Sequence, residues 1–142
     1  RLHCKGCFNY EAWDFNHGVK LIDEIIDKIL ESIEPDYIKG LSILGGEPLD
    51  DNNIEGVSYL VKRFRERFGD SKTIWIWSGY TFEELIKHKE KKEILDNCDI
   101  LVDGPFNINL YNAKLAFRGS SNQRIIDLKN STSSKPKLMN ID

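Results

Sequence analysis

Leu41-Ser42-Ile43-Leu44-Gly45-Gly46-Glu47-Pro48 is a short apolar run cut off by a glycine pair, an acid and a proline. A run this short, bounded by turn residues, reads as a buried strand. Upstream, residues 19–33 (VKLIDEIIDKILESI) carry apolar side chains at 19, 22, 26, 29, 30 and 33, the spacing of an amphipathic helix. Downstream, residues 53–68 repeat that pattern, with Asp50, Asp51 or Asn52 available as a cap. Thr73-Ile74-Trp75-Ile76-Trp77 is β-branched and aromatic, hence a second strand. Thr81-Phe82-Glu83-Glu84 is a capping box that opens a third helix running to about Leu95. Asp99-Ile100-Leu101-Val102 is the next strand, residues 104–117 read as loop, and residues 123–127 read as a short final strand. Residues 8–15 are aromatic and weakly helical.

Strands alternating with helices imply an α/β fold with a parallel sheet and right-handed crossovers. The strand runs are apolar throughout, as expected where helices cover a sheet. One domain over residues 1–128 is expected, followed by a Lys-, Ser- and Pro-rich tail, 129–142, that frays. In parallel α/β folds, ligands bind at the C-terminal ends of the strands. Three such ends are legible: Gly45-Gly46-Glu47, Ser78-Gly79-Tyr80 and Asp103-Gly104. They should meet on one rim. Cys98 precedes its strand, so it belongs to the opposite end and reads as a small buried hydrophobe.

The 142 residues suffice for one domain with a real core. A net charge of −3 gives no basic field of the size nucleic acid requires. The Lys89-Glu90-Lys91-Lys92 run reads as a solvated helix face. No apolar run approaches the roughly 18 residues of a membrane span. Three cysteines, an odd number, do not suggest a disulfide scaffold and point to a reducing cytoplasm.

Cys4 and Cys7 are two thiols two residues apart, a spacing that lets the chain wrap around one metal centre. On its own the pair serves zinc sites, iron–sulfur clusters and redox pairs alike. Gly45-Gly46 serves either as a plain turn or as a place where backbone approaches a ligand closely. Glu47 beside it suits a ligand with an ammonium group and would repel phosphate.

The segments CKGCFNYEAWDF, GGEPL, WIWSGYTFEEL, LVDGPF and FRGSSNQRIID, in this order, resemble those of radical S-adenosylmethionine (SAM) enzymes, specifically the activating proteins of anaerobic (class III) ribonucleotide reductases. The likeness covers about residues 3–127. It implies a shortened, open (β/α) partial barrel whose first strand lies upstream of this sequence. It implies a [4Fe-4S] cluster held by three thiolates of a C-x3-C-x2-C motif. Cys4 and Cys7 supply two of them, and the third is expected immediately before Arg1, so the chain as it stands is expected not to hold a stable cluster. The fourth iron chelates the amino and carboxylate groups of SAM. One electron then cleaves SAM to methionine and a 5′-deoxyadenosyl radical, which makes a glycyl radical on the reductase large subunit. An electron donor such as flavodoxin is implied. Mapped onto these residues, backbone atoms of Gly6, Cys7 and Phe8 lie against the adenine; Gly45, Gly46 and Glu47 receive the methionine ammonium; Ser78 and Asp103 contact the SAM carboxylate or ribose; and Arg118 with residues 119–122 helps face the partner. The rivals are an activase of another glycyl-radical enzyme, of the formate-lyase type, and a non-catalytic zinc-binding adaptor.

Overall fold

The computed structural model describes residues 7–11, 19–44, 47–115, 117–132 and 135–139. Its strands and helices run β1 (Cys7–Glu11), α1 (Val19–Ile33), β2 (Gly40–Leu44), α2 (Ile54–Phe68), β3 (Thr73–Trp77), α3 (Phe82–Leu85), α4 (Lys89–Asp96), β4 (Ile100–Asp103), β5 (Arg124–Thr132) and β6 (Lys135–Leu138). The strands form one six-stranded sheet in sequence order. The first four are parallel, as the βα alternation requires. The last two return antiparallel, with Asp103 opposite Arg124 and Ile126 opposite Leu138. The sheet is therefore mixed, where the alternation of elements predicts a wholly parallel one.

Period-2 alternation sorts the strand residues onto two faces. Leu41, Ile43, Ile74, Ile76, Leu101 and Ile126 face the helices, in one core with Ile26, Leu30 and Ile33 of α1 and Val57, Leu60 and Phe64 of α2. The other face carries Trp75, Val102 and Ile125, packed with Trp77, Phe117 and Met139. The apolar stripes of α1, α2 and α4 thus all fold onto one side. Among the described residues, no helix is long and apolar enough to cross a membrane.

Four local readings change. Within the segment 8–15 read as weakly helical, residues 8–11 join Cys7 in β1, which pairs with β2 at the edge of the described sheet. An aromatic, alternating pentapeptide takes whichever state a neighbour offers, and here β2 offers a ladder. The helix predicted from Thr81 to about Leu95 is broken at residues 86–88 into α3 and α4. Between Ile86 and Ile94 every residue is polar or charged, so no apolar side chain ties those two turns to the core; Lys91 departs from the solvated face expected of residues 89–92, buried over the Tyr80 ring and paired with Asp51 at 3.1 Å. The cap of α2 is Asn53, one residue later than expected, and its side chain makes no capping bond. Finally, residues expected to fray form the second half of β5, to Thr132, and β6.

Candidate functional site

The ends of β2, β3 and β4 meet on one rim. Glu47, just beyond β2, ties them together. Its Oε2 accepts from the Leu49 N–H at 3.0 Å and from the Ser78 hydroxyl at 2.8 Å. Its Oε1 accepts from the Gly79 N–H at 2.6 Å. Ser78 in turn accepts from the Tyr80 N–H at 3.0 Å. The Glu47 carbonyl is held by the Asn53 amide at 2.8 Å, which explains what the helix-capping residue does instead of capping. One acidic side chain therefore fixes the exit of β2 against the exit of β3.

Asp103 fixes the next exit. It is 1% exposed. Its Oδ1 accepts from Arg124 Nε at 3.0 Å, and its Oδ2 accepts from Arg124 Nη2 at 2.5 Å and from the Phe82 N–H at 2.7 Å. A buried carboxylate needs such partners. Arg124 also reaches Glu83 Oε1 at 2.6 Å. Hydrogen bonds to Asp103 and then Glu83 hold the guanidinium above its ordinary value, and Arg124 holds Glu83 below the usual carboxylate range. Gly104 follows at φ +99°, a conformation that disfavours any side chain. Its N–H donates to the Tyr80 carbonyl at 3.1 Å, and its carbonyl accepts from Gln123 Nε2 at 3.0 Å.

Between these clamps lies a cleft of about 240 Å³. Glu47, Ser78 and Gly79 line it from one side, and Trp77, Gly104, Phe106 and Gln123 complete it. Thus the structure brings Glu47, Ser78 and Asp103 to one rim, as the strand polarity predicts. Gly6, Gly45, Gly46 and Cys4 lie outside the described residues. Cys7 and Phe8 are not at this rim. Cys7 pairs with Gly40 and Phe8 with Leu41, at the opening of β2. Four residues of strand, roughly 13 Å, separate Cys7 from the rim end of β1.

Cys98 lies where its strand polarity places it, before β4 and buried. Burial pushes its thiol up to about 12, which keeps it an inert thiol. Among the described residues, no group of three or more His, Cys, Asp and Glu side chains gathers as a metal site.

Trp77, Phe106 and Gln123 as cleft residues, and Arg124 as the partner of Asp103, were missed from the sequence. Arg124 had a signal: it opens an apolar strand segment at which no charge would pack without a partner. Its partner becomes legible only once β5 is known to run antiparallel to β4.

Comparison with known proteins adds what the geometry leaves open. Residues 1–126 match a family model described as a 4Fe-4S single cluster domain. The chain is 39% identical over 124 residues to the anaerobic ribonucleoside-triphosphate reductase-activating protein of Vibrio cholerae, covering 86% of this chain and 78% of the relative. It is 37% identical over 125 residues to that of Enterobacteria phage T4, covering 87% and 76%. It is 35% identical over 128 residues to that of Escherichia coli K12, covering 89% and 81%. No solved structure matches significantly.

Proposed function

The chain belongs to the 4Fe-4S single cluster domain family and, by its relatives, to the anaerobic ribonucleoside-triphosphate reductase-activating proteins, and on that premise we propose that it is a radical SAM activase. It uses a [4Fe-4S] cluster to cleave SAM reductively and so installs a glycyl radical on the large subunit of an anaerobic ribonucleotide reductase. The donor set fits the group: Cys4 and Cys7 are soft thiolates at a spacing that wraps one centre, and Cys98 stays out of the way. Cys4, Cys7 and a cysteine preceding Arg1 would hold the cluster. When bound, the cluster supplies the single electron that breaks a carbon–sulfur bond of SAM. A flavodoxin-type donor in the cytoplasm would refill it.

The observation that carries the SAM half of this reading is the Glu47 carboxylate set beside the cleft at the strand ends. Among the described residues its Oε2 has two donors and its Oε1 one, which leaves Oε1 an acceptor site for an ammonium. Ser78 orients that carboxylate. Asp103 is 1% exposed and outside the cleft lining, with both oxygens already bonded to Arg124 or Phe82, so its part is to hold the β4 exit in place rather than to bind SAM directly. Gly45 and Gly46 let the ligand approach the backbone, and Gly6, Cys7 and Phe8 present backbone to the adenine. For the two halves of the site to meet, the cysteine segment must reach the rim in the cluster-loaded protein, across the 13 Å or so that β1 spans from Cys7. Among the described residues the helices pack on one face, with Trp75 and Trp77 on the other, which supports the partial-barrel form of the fold, with the aromatic face inward.

The test is SAM binding by the complete, iron-reconstituted protein, with iron content measured alongside. Glu47→Gln exchanges one accepting oxygen for a donor and should weaken SAM by about tenfold or more, the worth of one charged hydrogen bond. Gly46→Val fills the ligand's approach and should abolish binding. Iron should stay at the wild-type level in both. Unchanged SAM affinity in both variants removes the rim assignment, and stoichiometric zinc with no SAM affinity replaces the reading with the adaptor.

A further inference from the structure

We propose that residues 105–111 form the docking platform for an uncharged, apolar segment of the reductase on which the cleft acts. The partner's identity rests on the function proposed above; the platform itself rests on the following observations. Phe106, Ile108, Leu110 and Tyr111 are 53%, 70%, 41% and 56% exposed. Scattered exposed apolar side chains are ordinary, but four within six residues make a patch. Residues 104–113 contain no charged side chain, in a chain where 30% of residues are charged. A desolvated interface centre is poor in charge and rich in aromatics.

The patch is also held rigid. The Pro105 carbonyl accepts from Asn122 Nδ2 at 2.8 Å, and the Asn107 N–H donates to Ser120 Oγ at 3.1 Å. The Leu110 carbonyl accepts from the Ser121 N–H at 3.0 Å, and Tyr111 bridges Ser120. The Phe106 and Tyr111 rings meet edge-on at 6.1 Å. Gly119 makes room for Phe106, since a Cβ there would come within 2.9 Å of the ring. Downstream, Phe117 packs on Trp75 at 4.7 Å, and its carbonyl accepts from Trp77 Nε1 at 2.8 Å. Residues 119–122 therefore brace the platform from behind. A loop braced this way and still exposing four apolar side chains is preorganised, which lowers the entropic cost of binding.

Position selects the occupant. Phe106 belongs both to the patch and to the cleft wall, so a chain lying on the patch is delivered to the ligand. An activating protein must bring a backbone glycine of its partner to that place. The absence of charge on the platform matches a segment equally free of it.

Affinity for the anaerobic reductase of the same organism is measured by calorimetry with the complete protein, together with SAM affinity and sedimentation. Ile108→Asp sits at the most exposed point of the patch and should raise the reductase Kd at least tenfold. It should leave SAM affinity and melting temperature at wild-type values. Tyr37→Asp, at an exposed aromatic residue elsewhere, should leave the reductase Kd unchanged. Wild-type reductase affinity in Ile108→Asp overturns the proposal. So does loss of self-association with reductase binding intact, which would assign the patch to a second copy of this chain. If the unsubstituted protein fails to bind the reductase at all, the functional reading falls and the platform's assigned partner falls with it.

Discussion

Gly40→Ala should cost about 3 kcal/mol or more of stability, the upper end of what overpacking usually does. Gly40 opens β2 and is buried between Cys7 on one side and Thr73 on the other. Its backbone does not demand glycine; the space does. A Cβ built there runs into the carbonyl and amide of Thr73. Those are backbone atoms in the neighbouring strand, so no rotamer change relieves the clash. The variant must part β2 from β3 in the middle of the sheet. The same shift would displace Glu47 from Ser78 and Gly79, because both ends of the clamp ride on these strands. Denaturant melts followed by far-ultraviolet circular dichroism should show the midpoint fall, with a drop in melting temperature of roughly 10 °C. An unchanged midpoint would mean that Gly40 and Thr73 are not paired in this register.

Asp103→Ala should have a comparable effect, also about 3 kcal/mol. The substitution removes a carboxylate with almost no exposure that accepts three hydrogen bonds. It strands the Phe82 N–H at the start of α3 and leaves Arg124, among the described residues, with only the exposed Glu83. The loss exceeds the net worth of the ion pair because the groups left behind remain partly desolvated. Asp103→Asn keeps the shape and should fall between wild type and alanine. Acid should expose the outer part of the same network. Glu83 is held below its ordinary value by Arg124, so its contribution is present above the usual carboxylate range and lost as pH falls through the lowered value. The stability gap between wild type and Arg124→Ala should therefore narrow below about pH 4. A gap that widens in acid would contradict the pairing.

The parts of the fold that the sequence specifies locally were legible. β2, β3 and β4 are apolar runs with turn residues at their ends, and α1 and α2 carry complete apolar stripes. The Thr81–Glu84 capping box is present with both of its reciprocal bonds. Strand polarity was enough to gather Glu47, Ser78 and Asp103 and to send Cys98 to the opposite end. What was not legible depends on pairing. β1 has no strong preference of its own and is a strand because β2 lies beside it. The second half of β5 and β6 are polar, and only their antiparallel ladder marks them. Arg124 becomes a partner of Asp103 through that same ladder. Phe106 and Trp77 join the cleft because the loop after β4 folds back across the aromatic face, a path that no local pattern encodes.

The proposed activity is SAM cleavage by a thiolate-held cluster at the rim of this sheet. The direct measurement is 5′-deoxyadenosine formation by the complete protein, reconstituted with iron and sulfide without oxygen and supplied with dithionite and SAM. Product should form, and should be lost when Cys4, Cys7 or the cysteine expected before Arg1 is replaced by serine. Iron that binds without yielding 5′-deoxyadenosine, or product that survives loss of Cys7, would contradict it.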